Sequence, residues 1–301
     1  MIHIVEVGAR DGLQNEKTVI STEQKIQMLE GFVQAGLTKL EAVSFVHPKF
    51  VPAMADAEEI LIHWKRPAAI EVAGLALNSR GVDRAMQTSI THLHLSMAVS
   101  DAFNLKNSKR SVQDGLADLL PSVREAHSIK PVTAILSTSF GCPFSGSVSE
   151  LEVMRMVDAF LQAGASKIVL GDTTGMAHPS QVKERVSALF TEFGKDLELG
   201  LHFHNTRGLA LANTLAGYES GVRHFDASIA GLGGCPYAPL AVGNVCTEDM
   251  VHMFEEMGVD TGVNLDSLIG LAQTIQEWFP KPLAGMVMKA GKASELTKQS
   301  E

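Results

Sequence analysis

The sequence predicts an α/β fold, a (β/α)8 TIM barrel with an extra C-terminal helix. Eight short β-branched or apolar runs alternate with longer amphipathic stretches, and eight is the count that closes a parallel barrel. Three linkers repeat one pattern, a helix-ending glycine and then the next strand: Gln34-Ala35-Gly36 before Thr38-Lys39-Leu40, Gln162-Ala163-Gly164 before Ser166-Lys167-Ile168, and Glu219-Ser220-Gly221 before Arg223-His224-Phe225. The competing architecture is an open doubly wound sheet. No Gly-x-Gly-x-x-Gly follows the first strand, which counts against it.

The strands are expected at about residues 2–8, 39–45, 70–77, 91–97, 131–137, 167–171, 199–204 and 224–229. Ser21-Thr22-Glu23-Gln24 reads as a capped helix start, with Ile26, Leu29, Phe32 and Val33 on one apolar stripe. Residues 111–127, 147–163, 179–193 and 208–219 read as helices in the same way, and 265–279 as the extra helix. No low-complexity linker divides the chain. Residues 1–301 therefore read as one domain, with 265–301 as a C-terminal extension whose tail beyond Pro282 is expected to be mobile.

With 301 residues and 45% hydrophobic content, the chain can bury one large core. Charged residues make up 20% of it and the net charge is −9, a balance that argues against a nucleic-acid surface. One phosphorylated ligand at a local basic site stays compatible. No apolar run reaches the ~20 residues of a membrane span. The three cysteines, Cys142, Cys235 and Cys246, are too sparse for a disulfide framework and point to a reducing compartment. No secretory or transit segment fits before the first strand, and the terminal Lys298-Gln299-Ser300-Glu301 is no peroxisomal signal. A cytoplasmic location is expected.

In such a barrel, functional residues gather at the C-terminal ends of the strands. Strand 1 ends in Glu6-Val7-Gly8-Ala9-Arg10-Asp11-Gly12, where Arg10 and Asp11 form either a surface ion pair or part of a site. Strand 7 ends in Leu201-His202-Phe203-His204-Asn205. Alternation puts His202 and His204 on one face, roughly 6.5–7 Å apart at Cα, a spacing that suits either two ligands of one cation or a pair of satisfied core histidines, the latter disfavoured because two inward imidazoles are costly to bury. Strand 6 ends in Gly171-Asp172-Thr173, where Asp172 either caps the turn before Pro179 or serves the site. After strand 8 comes Ala230-Gly231-Leu232-Gly233-Gly234-Cys235-Pro236-Tyr237-Ala238, then Gly243-Asn244. This glycine-rich loop suits close approach to a ligand or lid motion, with Cys235 as a candidate acid or base. Glu41, ending strand 2, needs a partner in the barrel mouth. Cys142, with nothing acidic or basic beside it in sequence, reads as structural.

Asp11, His202 and His204, with Asn244 as a fourth donor, form a mixed imidazole, carboxylate and amide set that suits Mg, Mn, Co or Zn. A cation there polarises a carbonyl and a β-hydroxyl together, as retro-aldol or retro-Claisen cleavage requires. Arg10 is placed to neutralise the same developing oxygen charge.

At these residues the sequence resembles the 3-hydroxy-3-methylglutaryl-CoA lyases, within the metallolyase superfamily that includes isopropylmalate and homocitrate synthases. The matching stretches are Val5 to Lys17, Ser44-Phe45-Val46 with Pro48-Lys49 and Val51-Pro52, Gly171-Asp172-Thr173, Leu211-Ala212-Asn213-Thr214, and Ala230 to Ala238 through Gly243-Asn244 to Thr247-Glu248-Asp249. They keep order and spacing over about residues 1–265, and the Gly-Leu-Gly-Gly-Cys-Pro-Tyr-Ala stretch is highly specific to the lyases.

The resemblance implies that Asp11, His202, His204 and Asn244 bind a divalent cation, Mg or Mn first, and that Arg10 faces the substrate carbonyl. It implies acidic catalytic roles for Glu41 and Asp172, a part for His202 in the chemistry as well as in metal binding, and proton transfer by Cys235. Glu248 is implied as an acid supporting this centre, and Lys17, Asn205 and Arg207 are expected around it, supporting it or facing substrate. The implied reaction cleaves 3-hydroxy-3-methylglutaryl-CoA to acetyl-CoA and acetoacetate, and the family also suggests a homodimer, with the apolar Met286-Val287-Met288 as a contact. Two departures bear on the acyl group. Asn205-Thr206-Arg207-Gly208 stands where better-known members read Asp-Thr-Tyr-Gly, and Ala9 stands where proline is usual. A differently branched 3-hydroxyacyl-CoA is therefore an alternative substrate. A condensing synthase or free-acid aldolase, and a non-catalytic metal- or CoA-binding barrel, are the other readings. The set Asp11, Glu41, Asp172 and His202 weighs against the last, since unpaired ionisable groups are costly to keep.

Overall fold

Eight parallel strands close in chain order, each hydrogen-bonded to the next and β8 back to β1. They are β1 (His3–Glu6), β2 (Lys39–Ser44), β3 (Glu71–Ala76), β4 (His92–Ala98), β5 (Val132–Ser137), β6 (Lys167–Asp172), β7 (Leu199–Phe203) and β8 (His224–Ala227). This computed structural model describes residues 1–234 and 243–295. The TIM barrel expected from the alternation is present, as is the extra C-terminal helix.

Period-two alternation sorts each strand into two faces. Outward residues such as Leu40, Val72, Leu93, Leu95, Leu201 and Phe225 join the main core beneath the helices. Leu75, Ile135 and Val169, with Leu77 against them, form a separate apolar cluster on the inward faces. Below it, six of the strands begin with an ionisable residue, His3, Lys39, Glu71, His92, Lys167 and His224, so the barrel floor is charged.

The helices that connect and cover the strands are α1 (Thr22–Gln34), α2 (Ala57–His63), α3 (Ser79–Met86), α4 (Asp101–Asn107), α5 (Val112–Ala126), α6 (Glu150–Gln162), α7 (Pro179–Phe193), α8 (Ala210–Glu219), α9 (Thr247–Glu256), α10 (Leu265–Gln276) and α11 (Val287–Ala290). Ser21 with Gln24, and Ser149 with Glu152, form reciprocal capping boxes at the starts of α1 and α6. Gly36, Gly164 and Gly221 follow helices at φ of 92°, 103° and 103°, a conformation that favours glycine.

Five helices, α2, α3, α4, α9 and the four-residue α11, lacked a sequence signal. α2, α3 and α4 have seven, eight and seven residues, too few turns for a period to register. α9 begins with the Thr247-Glu248-Asp249 motif and buries that acidic first turn. The first strand is also shorter than its apolar run, because Gly8–Gly12 leaves the sheet as a π-helical turn. Of Met286-Val287-Met288, only Met286 is exposed; Val287 and Met288 are buried in their own chain.

Candidate active site

The site is built where β1, β2, β6 and β7 end. The π-helical turn after β1 carries Arg10 and Asp11, with the amides of Arg10, Asp11 and Gly12 all donating to the Val7 carbonyl. Glu6 anchors that turn from beneath. It is fully buried, and its carboxylate accepts from Gly8 N–H (2.8 Å), Ile229 N–H (2.9 Å) and the Thr247 hydroxyl (2.5 Å). Burial pushes the Glu6 carboxyl up to about 8.

β7 delivers His202 and His204 with ring centroids 5.1 Å apart. Their Nε2 atoms lie 3.8 and 3.9 Å from Asp11 Oδ2. Ligand atoms of Asp11, His202 and His204 all fall within 4.8 Å of one another, the one such cluster found among the described residues. Asn244 joins them through backbone pairing: residue 244 bridges to His204, the Asn205 amide donates to the Gly243 carbonyl (2.9 Å), and the Asn244 Nδ2 donates to Asp11 Oδ2 (2.8 Å).

A divalent cation fits the converging ligand atoms of Asp11, His202 and His204. Asn244 meets this cluster through its Nδ2 on Asp11, and its Oδ1 is buried with no partner, an oxygen a rotation of the amide would offer to the cation. His202 Nδ1 is paired with Asp226 Oδ2 at 3.1 Å, which fixes the ring and turns Nε2 toward Asp11. Burial disfavours His202 imidazolium, but the Asp226 hydrogen bond and the Asp11 charge outweigh it and raise its pKa. His204 has no such partner, and burial and the His202 charge lower it to about 4, leaving a neutral ligand. Burial alone would raise Asp11; Arg10 and the two imidazoles hold it well below the usual carboxylate range.

Arg10 links this cluster to β2. Its NH1 donates to Asp11 Oδ1 (2.6 Å), while Nε and NH2 pair with Glu41 Oε1. Glu41 is fully buried, and its Oε2 lies 2.6 Å from His94 Nδ1 on β4. Burial opposes the Glu41 charge, yet the Arg10 guanidinium and then the His94 hydrogen bond hold its pKa below the ordinary value.

Asp172 closes β6. Its Oδ1 accepts from Met176 N–H (2.7 Å) and Ala177 N–H (3.1 Å), while Oδ2 is buried without a partner. Burial raises its carboxyl to about 6. The cap of α7 is not Asp172 but His178, whose side chain accepts from Gln181 N–H. Arg207 is exposed, and its NH1 donates to the carbonyls of Thr174 (2.9 Å) and Gly175 (2.7 Å), tying the β7–α8 loop to the turn that holds Asp172. Asn205 Oδ1 accepts from Ala210 N–H (3.2 Å) at the start of α8. Glu248 is buried, accepts from Ala230 N–H (3.0 Å), and is pushed up to about 7 by burial. Lys17 is exposed on the β1–α1 loop. Cys235 lies outside the described residues. Cys142 is buried, with Sγ accepting from the Ser100 hydroxyl (3.0 Å) and Phe144 N–H (3.4 Å).

Sequence reasoning did not single out Glu6, His94 or Asp226. Asp226 had a findable signal: it is the register partner of His202 between β7 and β8 and shares its inward face. His94 shares the inward parity of β4 with His92, but its partner is 53 residues away.

A carboxylate, two imidazoles and an amide at the mouth of a parallel barrel, with an arginine beside them, define a metal-assisted enzyme of the TIM-barrel class. The chain belongs to the HMGL-like family, whose model matches residues 1–275. Over 294 residues it is 40% identical to the hydroxymethylglutaryl-CoA lyase YngG of Bacillus subtilis, covering 97% of this chain and 98% of that protein. It is 36% identical over 304 residues to the (R)-citramalyl-CoA lyase of Chloroflexus aurantiacus, covering 96% and 95%. An HMG-CoA lyase from Acinetobacter baumannii, solved in complex with coenzyme A and 3-methylmalate, matches with a TM-score of 0.94 at 40% identity, covering 98% of this chain and 96% of that one.

Proposed function

We propose that this chain is a divalent-metal-dependent carbon–carbon lyase cleaving 3-hydroxy-3-methylglutaryl-CoA to acetyl-CoA and acetoacetate. The observation that carries the reading is the convergence of Asp11, His202 and His204, with Asn244 bonded to Asp11, beside the Arg10–Glu41 pair. Mg or Mn suits this nitrogen and oxygen donor set. When bound, the cation supplies Lewis-acid polarisation of the 3-hydroxyl and the adjoining carbonyl oxygen.

In the reaction the 3-hydroxyl loses its proton, the C2–C3 bond breaks, and C3 becomes the ketone of acetoacetate. The bonding pair moves to C2 as the thioester enolate, which takes up a proton to give acetyl-CoA. Asp172, with one buried unpaired oxygen, is assigned as acceptor of the hydroxyl proton. Arg10, oriented by Glu41 and Asp11, faces the thioester oxygen as negative charge builds there. Asp226 keeps His202 in its ligating orientation. Cys235 is assigned to the enolate protonation on the resemblance of its loop. Glu248 supports the loop it accepts from at Ala230, and Arg207 and Asn205 brace the β7–α8 segment. Lys17 is assigned to the CoA phosphates, as an exposed cation near the barrel mouth.

No helix among the described residues is long and apolar enough to cross a membrane. The two described cysteines are free, in keeping with a reducing compartment, and we place the reaction in the cytoplasm. A homodimer is part of the proposal on family grounds.

A second reading, a lyase for a differently branched 3-hydroxyacyl-CoA, is favoured by Arg207 and by the citramalyl-CoA lyase relative. One assay separates them. The chelated protein is given Mg or Mn and a panel of 3-hydroxyacyl-CoA thioesters. Acetyl-CoA and acetoacetate from 3-hydroxy-3-methylglutaryl-CoA, absent in Asp11→Asn, is the expected result. Preferential cleavage of another thioester moves the assignment to the second reading, and no cleavage of any member sinks both.

A further inference from the structure

Glu41 is sealed inside the barrel with no exposure, so both of its oxygens need donors from the protein. Arg10 satisfies Oε1 through Nε and NH2. Oε2 meets His94 Nδ1 at 2.6 Å, and His94 is itself only 4% exposed. β2 and β4 are not neighbours. The two side chains meet inside the barrel across β3, where Ala73 pairs with Glu41 on one side and Leu75, two residues on, pairs with His94 on the other.

We propose that His94 is a positioning residue of the active site: its Nδ1–H fixes the Glu41 carboxylate, which in turn fixes the Arg10 guanidinium beside Asp11. The proposal rests on the reading of Arg10 as the group that faces the substrate. Arg10 is shared between two carboxylates, with NH1 on Asp11 and the opposite edge on Glu41. Without a donor to Oε2, Glu41 carries a buried unpaired oxygen, and rotation to satisfy it breaks the Nε contact. Arg10 then turns onto Asp11, the carboxylate that the cation needs. The sequence Asp11–Arg10–Glu41–His94 thus spans from the ligand cluster to the far wall of the barrel through three charge-assisted contacts.

The tautomer follows from the partner. A carboxylate held ionised by arginine accepts, so Nδ1 donates. This singles out asparagine as the conservative replacement, since its Nδ2 occupies the position of the imidazole Nδ1. Leucine matches the volume without a donor, and glutamine carries its amide one bond further out.

The test measures kcat and KM on the metal-loaded enzyme with 3-hydroxy-3-methylglutaryl-CoA. It also measures the Arg10 Nε–H resonance by proton–nitrogen NMR. In H94L, kcat is expected to fall about tenfold or more with KM within about threefold, since a misoriented group costs chiefly in the transition state. H94Q should be impaired in the same sense, and it keeps the proposal testable if H94L does not fold. H94N should stay within about threefold of wild type in kcat. The Arg10 resonance should be sharp and slowly exchanging in wild type and H94N, and broadened or shifted in H94L and H94Q. A wild-type Arg10 resonance in H94L or H94Q, or an H94N as impaired as H94Q, overturns the proposal. If the wild type cleaves no thioester, the lyase reading fails by itself, and the Arg10 resonance still decides the role of His94.

Discussion

Gly243 is where the smallest change should do the most damage. A Cβ there would lie 2.1 Å from the Gly231 carbonyl oxygen and 2.9 Å from that of Gly233. Both are backbone atoms, so no side-chain rotation relieves the contact. Bringing the nearer one to 3.0 Å, the closest approach that real Cβ atoms show, requires about 0.9 Å of main-chain movement. Three hydrogen bonds transmit that movement into the site. Asn205 N–H donates to Gly243 O, Val245 N–H donates to Phe203 O, and Asn244 Nδ2 donates to Asp11. The shift therefore separates Asn244 from the His202–His204 face of β7, in a centre whose ligand atoms lie within 4.8 Å of each other. A misplacement of ~1 Å costs on the order of 10²-fold in rate, about 2.7 kcal/mol. The expected outcome for Gly243→Ala is a kcat/KM down about 100-fold and a Mn affinity weakened about tenfold or more, with far-ultraviolet circular dichroism unchanged. The assays are steady-state kinetics and calorimetric Mn titration. A Gly243→Ala protein within about threefold of wild type in both would refute the reasoning, because the collision would then be absorbed without moving a ligand.

Asp226→Asn should weaken metal affinity by about 10–100-fold through the loss of His202 orientation, read by the same titration. Glu6→Ala strands the amides of Gly8 and Ile229 in a buried position and should cost about 3 kcal/mol, read as a lowered urea midpoint at unchanged slope. The barrel floor should make stability acid-sensitive. There His224 stacks on His3 at 4.7 Å, lies 3.2 Å from Lys167 Nζ and pairs with Glu198 at 3.0 Å; burial and then the Lys167 charge lower it to about 3. A histidine depressed below 6.5 binds fewer protons folded than unfolded, so its contribution is complete above pH 6.5 and is lost as pH falls from there toward 3. Glu6 and Glu248, pushed upward, contribute the opposite slope. The comparison with His224→Gln isolates the imidazole: the variant should lose less stability than wild type between neutral pH and pH ~5, by at most about 1.4 kcal/mol per unit before solvent screening reduces it. Equal losses in both proteins would count against a neutral His224.

What the sequence displayed, and what it hid, follows from the range of each interaction. The barrel was legible because its signals are local: a two-residue alternation, a glycine ending three of the helices, and eight strand-like runs. His202 and His204 were legible as a pair for the same reason, since two positions on one strand fix a common face. Short helices such as α2 and α4, two turns each, carry too few positions for a period. Glu41–His94 and Glu6–Thr247 join positions 53 and 241 residues apart, pairings that neither strand parity nor composition can rank. Register supplies what spacing lacks. Once β2, β3 and β4 are aligned, Glu41 and His94 fall on inward positions of strands one apart, and once β7 and β8 are aligned, Asp226 is the residue paired with His202. The ligands could thus be read along the chain, whereas the groups that orient them could be read only across it. A site of this kind should therefore tolerate a change in its outer partners only where the replacement restores the same donor at the same place, which is why asparagine at 94 and asparagine at 226 are expected to behave oppositely: the first keeps the hydrogen that Glu41 accepts, and the second removes the charge that holds His202.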